Sequence, residues 1–339
     1  LTRRAGSLSD ERMTCLDARS NDPLRVLVVG AGAVGCYFGG LLAIAGSDVT
    51  FVARGAQRAA LASNGLTLEG PRGRIVTPPL RAYGSVAEAQ SAAPAQIVLL
   101  CVKTYDVLRS AAEIAAAVPA DAIVVALQNG VDADTRFTSV AQGGPACVAG
   151  IAYVSAVVER PGHVRYTSDM SELVFGKFPT HAARDATALV AAAHAAGFAC
   201  RVAEDIRAEL WGKFILLACN AALTCLARAP AGIVYYQPAL ARLARQAIEE
   251  CVLIARAEGI AMPDDAVDSA LARARGFPPD MYASMYHDLI AGKSLEIDQL
   301  SGEIVRRATA HGIDVPFHYM ASACLRAQTP SAKGRRDDV

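Results

Sequence analysis

Residues 26–35, Val26-Leu27-Val28-Val29-Gly30-Ala31-Gly32-Ala33-Val34-Gly35, decide how the rest of the chain is read. An apolar run of strand character ends in a G-x-G-x-x-G turn, and Cys36 to Ala45 has the pattern of the helix that follows. Each glycine answers a separate demand. Gly30 permits the tight turn, Gly32 removes a side chain where a pyrophosphate approaches backbone, and Gly35 lets helix and strand pack closely. The free N–H groups of the helix's first turn, including Ala33 and Val34, then face the phosphates, and the helix dipole adds to the attraction. A bare glycine motif also occurs in unrelated α/β turns. Here strand, turn, helix and a second strand (Asp48 to Ala53) follow in order, which favours a dinucleotide site.

The chain of 339 residues is 53% apolar, ample for a large core and longer than one ordinary domain. Lys plus Arg number 33 and Asp plus Glu number 33, so formal charge gives no support for a nucleic-acid or anionic-membrane partner. No apolar run free of charge or glycine reaches the length of a membrane-spanning helix. Residues 1–23 carry Arg3, Arg4, Asp10, Glu11, Arg12, Asp17 and Arg19 without an apolar segment, which predicts a disordered tail rather than a secretory signal, with Met13 a candidate start. The nine cysteines are scattered, without C-x-x-C, and the six histidines form no H-x-x-x-H pair. Buried free thiols are expected, with no disulfide, no metal site and a cytoplasmic setting. Nothing in the sequence signals an oligomeric state; a homodimer is compatible with it.

The end of the second strand bears on the cofactor. A carboxylate there would accept from the ribose 2′-OH of NAD and repel a 2′-phosphate. This chain has Arg54 instead, with Arg58 one turn on. A guanidinium suits bidentate phosphate contact, so NADP(H) is favoured over a merely solvated surface arginine. Leu66–Leu68 and Arg74–Val76 flank Gly70-Pro71-Arg72-Gly73 as a small hairpin. Ile97–Val102 and Ala122–Leu127 read as buried parallel strands with the helix Asp106–Ala117 between them. Their carboxyl ends carry Lys103 and Asn129, so Arg54, Lys103 and Asn129 are expected on one rim, where open α/β sheets bind ligands. Cys147–Val158 and His163–Phe175 read as further strands about a turn at Arg160-Pro161-Gly162. The helix Asp185–Ala196 and the short strand Ala199–Val202 follow.

From Asp205 the pattern turns helical, which places a boundary near 204. The first helix, Asp205 to about Arg228, is long and apolar and reads as the buried spine of a second domain. It carries Lys213, and burying an ammonium is costly unless a cleft or a partner receives it. The plain alternatives are a lysine snorkelling to solvent or paired with Glu209 one turn back. Gly259 with Pro263 and Gly312 with Pro316 mark two helix ends of one type. Residues 329–339 read as a polar, disordered tail.

Several separated motifs stand in order: G-A-G-A-V-G at 30–35, V-K-T at 102–104, Q-N-G at 128–130, A-E-L-W-G-K-F at 208–214, S-M-Y-H-D at 284–288, L-E-I-D at 295–298, and A-H-G-I-D-V-P at 310–316. Through them the sequence resembles the ketopantoate reductases (2-dehydropantoate 2-reductases) from Leu24 to Ala327. The resemblance implies an α/β Rossmann-type N-terminal domain (24–204), an all-α C-terminal domain (205–328) and an active site between them. It also implies reduction of a 2-oxo acid by NADPH in pantothenate biosynthesis. Lys213 then matches the catalytic lysine and Glu296 the acidic active-site residue. Ser284 matches a substrate-binding serine, Asn129 an asparagine beside nicotinamide and substrate, Lys103 a cofactor-site lysine, and Arg54 the residue that meets the 2′-phosphate.

The chain departs from the pattern at one place. Many relatives carry asparagines one and two turns after the catalytic lysine, where this sequence has Leu217 and Ala221. Asn220, seven residues after Lys213, lies within about 20° of its direction on a helix and is expected to reach the same cleft as a substrate ligand. Two alternatives to ketopantoate reduction follow: a related reductase of another small 2-oxo acid, and a non-catalytic NADP-binding sensor.

Overall fold

The computed structural model describes residues 22–328. Met13, Cys15 and the expected tails at 1–21 and 329–339 lie outside the described residues. The chain opens β1 (Arg25–Val29), α1 (Ala33–Ile44), β2 (Asp48–Val52), α2 (Gly55–Asn64), β3 (Thr67–Gly70), β4 (Gly73–Val76), β5 (Arg81–Tyr83) and α3 (Val86–Ala92). It continues with β6 (Ile97–Leu100), α4 (Val107–Ala117), β7 (Ile123–Ala126), α5 (Ala133–Val140), β8 (Ala146–Tyr153), β9 (Ala156–Arg160), β10 (His163–Tyr166), β11 (Glu172–Phe175), α6 (Ala183–Ala195) and β12 (Ala199–Val202). After Val202 every regular element among the described residues is helical: α7 (Ile206–Ala227), α8 (Ala231–Val234), α9 (Pro238–Ala257), α10 (Ala266–Arg275), α11 (Ser284–Ile290), α12 (Ser301–His311) and α13 (Pro316–Arg326).

Eight strands form one sheet in the order β12-β11-β8-β7-β6-β1-β2-β5. All neighbours are parallel except β8 and β11. β6 and β7 are buried along their whole length, as unbroken apolar strands must be when both faces are covered. Tyr37 and Phe38 of α1 and Leu189 of α6 fill one face, while Val86 of α3, Ile114 of α4 and Phe137 of α5 fill the other. The chain runs outward from β1 to β2 and β5, then crosses back through α3 to β6 on the other side of β1, and this reversal opens a crevice at the carboxyl ends of β1 and β6.

A second sheet, β4-β3-β10-β9, departs from the expected strand pattern. The run Cys147–Val158 breaks at Val154 and Ser155, where the chain leaves the large sheet, and His163–Phe175 breaks between Tyr166 and Glu172, where it returns. The expected hairpin at 66–76 forms, and β3 then pairs in parallel with β10. Leu68, Val164 and Tyr166 of this sheet pack with Tyr37 and Phe38 on the outer side of α1.

α7 is the spine of the helical part. Asp205 caps it by accepting from the backbone N–H of Arg207 (2.9 Å) and Ala208 (3.1 Å), and Arg228 ends it in the left-handed region at φ 50°. Trp211, Phe214, Ile215 and Leu223 are buried in the core it shares with α9, α10, α12 and α13. α7 is long and apolar enough to cross a membrane by length and composition, with Gly212 and Lys213 interrupting its apolar run as the sequence leads one to expect, and most of it is buried inside the protein. Gly312 closes α12 at φ 64°. Pro316 starts α13 rather than stopping a helix, since proline at the first helical position removes only an N–H that has no partner there.

Candidate active site

The glycine turn assigns its three positions clearly. Gly30 sits at φ 103°, and a Cβ there would lie 2.7 Å from the backbone N of Val102 on the neighbouring strand connection. A Cβ on Gly35 would stand 2.2 Å from the Gly30 carbonyl oxygen. Both glycines therefore serve chain packing. Gly32 differs: it is exposed, and nothing lies within 4 Å of a Cβ built on it. It is the N-cap of α1, no side chain caps that end, and no acidic residue occupies the first turn. The backbone N–H groups of the first turn, at the half-buried Ala33 and Val34 beside this open space, are thus left for an anion. Gln57 braces the turn by donating to the Ala31 carbonyl (3.1 Å) and accepting from the Gly162 N–H (3.0 Å). Beneath the turn, burial raises the Cys36 thiol to about 12, partly offset by Gln57, so it stays an uncharged packing group.

Arg54 follows β2 as the N-cap of α2, exposed and without an ion-pair partner among the described residues, and no carboxylate occupies the end of that strand. Lys103 follows β6 and Asn129 follows β7, both exposed. The Gln128 amide donates to the carbonyls of Leu100 (2.8 Å) and Val102 (3.1 Å), which locks these two strand ends together. Thr104 donates to the Asn129 carbonyl at 3.4 Å.

The helical part delivers the opposing charge. Lys213 Nζ donates to Asn129 Oδ1 (3.3 Å) and to the Ala152 carbonyl at the end of β8 (2.9 Å), and lies 5.5 Å from the Tyr153 ring centroid. An ammonium has three donors, so one N–H is left for a ligand. Burial lowers Lys213 from its usual value of 10.5 to about 8. Glu209 is not its partner, because Arg201 takes both Glu209 oxygens at 2.8 and 2.7 Å. Glu296 Oε1 lies 3.2 Å from Lys103 Nζ, so the acidic residue meets the rim lysine rather than Lys213 and bridges the two parts of the chain. A further bridge holds this register: Arg207, in the first turn of α7, donates to both Asp134 oxygens (3.1 and 2.6 Å) and to the Val131 carbonyl (3.0 Å).

Asn220 does not reach this cleft, which corrects the expectation. It is buried, its Oδ1 accepts from Tyr235 OH at 3.3 Å, and its carbonyl accepts from Thr224. Its direction matches that of Lys213, but seven residues advance it about 10 Å along the axis, to where α8 and Tyr235 cover the helix. Ser284 is exposed at the start of α11, which packs on α7, and has no hydrogen bond to Lys213, Asn129 or Glu296. Gln57, Gln128 and Arg207 escaped sequence reasoning. Their bonds run to backbone carbonyls or to residues distant in sequence, and no local spacing signals that.

Comparison with known proteins accounts for this arrangement. The family model described as ketopantoate reductase PanE/ApbA matches residues 26–180, and its C-terminal counterpart matches residues 205–329. The chain belongs to the ketopantoate reductase family. A 2-dehydropantoate 2-reductase from Caulobacter vibrioides is 33% identical over 304 residues, covering 89% of this chain and 98% of the relative. One from Pyrococcus horikoshii is 27% identical over 319 residues, covering 92% and 100%. The crystal structure of a PanE/ApbA family ketopantoate reductase from Ralstonia eutropha superposes with a TM-score of 0.81 at 34% identity, covering 91% of this chain and all of that one.

The chain is thus an oxidoreductase of a family that works with a nicotinamide dinucleotide and a 2-oxo acid. The residues present fit that cofactor. The cradle over Gly32 is open, the first turn of α1 offers N–H groups without a side-chain cap, and Arg54 stands exposed at the end of β2.

Proposed function

We propose that this ketopantoate reductase family member reduces 2-dehydropantoate to pantoate with NADPH, a step of pantothenate biosynthesis. The observation that carries the reading is Lys213, a desolvated ammonium held by Asn129 and Ala152 at the carboxyl rim of β7 and β8. When bound, the cofactor supplies a hydride. The uncapped N–H groups of α1 would hold its pyrophosphate, and Arg54 its 2′-phosphate. As charge develops on the ketone oxygen, the free N–H of Lys213 stabilises it and then transfers a proton to it. A group that titrates near 8 is suited to this, being charged at neutral pH yet a willing donor. Asn129 fixes the ammonium and orients the reacting faces, while Glu296 and Ser284 hold the substrate. A homodimer belongs to the same proposal.

One observation favours a second reading, a reductase of another small 2-oxo acid. On the Lys213 side of α7 the next two turns carry Leu217 and Ala221, and Asn220 is committed to Tyr235. A site without these amides has fewer groups to hold a substrate hydroxyl, and such bonds discriminate strongly. The test is purified protein with NADPH or NADH and a panel of 2-oxo acids that includes 2-dehydropantoate. Highest kcat/KM for 2-dehydropantoate with NADPH supports the first reading, and higher kcat/KM for an apolar 2-oxo acid replaces it with the second. No turnover of any member, with NADPH bound, removes both in favour of a cofactor-binding sensor.

A further inference from the structure

Far from the rim, three soft donors converge in the core of the helical part. Cys219 of α7, Cys251 of α9 and His318 of α13 are all fully buried. Their Sγ atoms stand 3.9 Å apart, and His318 Nε2 lies 4.0 Å from Cys219 Sγ and 3.1 Å from Cys251 Sγ. A disulfide needs sulfurs about 2.05 Å apart, so the thiols are free. Tetrahedral zinc with bonds of about 2.3 Å to sulfur and 2.05 Å to nitrogen spans about 3.8 Å between sulfurs and about 3.6 Å between sulfur and nitrogen. The observed triangle matches those edges to within a few tenths of an ångström on average.

We propose that Cys219, Cys251 and His318 form a structural binding site for one thiophilic metal ion, Zn2+ being the ion of choice. Three further features support it. His318 Nδ1 lies 3.1 Å from the hydroxyl of Ser301, itself buried on α12, and such a partner on the second ring nitrogen orients a metal-binding imidazole. The Ala247 carbonyl, 3.0 Å from Nε2, stands beside the triangle as a candidate fourth, oxygen donor. Two thiolates and a neutral imidazole would cancel the charge of a dication, leaving the buried Glu250 carboxylate, held by the backbone N–H groups of Phe317 (2.9 Å) and His318 (3.0 Å), as the nearby charge. With no solvent-facing position the ion would be structural, fastening α9 and α13 to α7, the helix that carries Lys213. The donors are separated by 32 and 67 residues in sequence, which is why no metal spacing is visible there and the expectation of no metal site followed.

The test uses the full chain produced with zinc in the medium and then passed over a weak chelator. Expected are about one zinc per chain by elemental analysis and, after exchange for Co2+, the thiolate-to-cobalt charge-transfer absorption of a sulfur-ligated tetrahedral ion. Cys219→Ser and Cys251→Ser should each lower metal content at least about tenfold, while Cys225→Ser, a buried thiol elsewhere on α7, should retain it. A wild-type chain that stays metal-free when refolded with excess Zn2+, or binds Co2+ without the thiolate absorption, overturns the proposal. So does metal content that is indifferent to both serine substitutions. Should the serine variants fail to fold, the cobalt spectrum of the wild type decides alone.

Discussion

Replacing Lys213 with methionine should make the protein more stable near neutral pH while abolishing turnover. Lowering the lysine from 10.5 to about 8 means that burying its charged form costs roughly 3 kcal/mol. Methionine removes that cost but also the hydrogen bonds to Asn129 and Ala152, worth about 1 kcal/mol each. A net gain of about 1–2 kcal/mol is left at pH 7. The pH dependence is more telling. Above pH 8 the folded wild type gives up this proton while the unfolded chain keeps it until about 10.5, so wild-type stability rises through that window and the variant's does not. The variant's advantage should shrink by about 2 kcal/mol between pH 7 and about pH 9.5. Urea unfolding of both proteins at the two pH values measures this directly. A stability difference that does not change with pH would refute the claim that Lys213 is held as a desolvated ammonium.

Other substitutions probe the remaining parts. Arg54→Asp should shift the kcat/KM ratio from NADPH toward NADH by at least about tenfold, since a carboxylate repels a 2′-phosphate; steady-state kinetics with both cofactors show it. Gly32→Ala should fold with nearly unchanged melting temperature but bind NADPH more weakly in titration, because its Cβ enters only open space. Gly35→Ala should lose roughly 1–3 kcal/mol or more of stability, because its Cβ meets the Gly30 carbonyl. Arg207→Ala leaves the poorly exposed Asp134 carboxylate unpaired and should cost about 1–3 kcal/mol in denaturation while lowering kcat through the displaced Asn129 loop.

The nucleotide-binding half was readable because its signals are local. Ile97–Leu100 and Ile123–Ala126 are apolar runs that only a covered parallel strand explains, and the glycine turn follows its strand directly. The four-stranded second sheet was not readable, since its central pairing joins Thr67–Glu69 to His163–Arg165 across nearly a hundred residues. Neither apolar run shows where the chain changes sheet. Within the site, Arg54, Lys103, Asn129 and Lys213 were legible as polar residues at strand ends or as a charge in an apolar helix, and the fold gathers the last three with Glu296. Asn220 shows the limit of angular reasoning: its direction around α7 was right, but distance along the axis carried it under Tyr235. The pairing of Glu296 with Lys103, and the meeting of Cys219, Cys251 and His318, depend on how helices dock, which spacing within one segment does not encode.

Lys213 is the proposed proton donor to the ketone under reduction, and on that role the chemistry of the site depends. The most direct measurement is the rate of NADPH oxidation with 2-dehydropantoate, or with whichever 2-oxo acid turns over fastest, for wild type and Lys213→Ala at equal NADPH saturation. A fall in kcat of about a hundredfold to ten-thousandfold with little change in NADPH affinity is predicted. A variant that reduces the same substrate at the wild-type rate would contradict it.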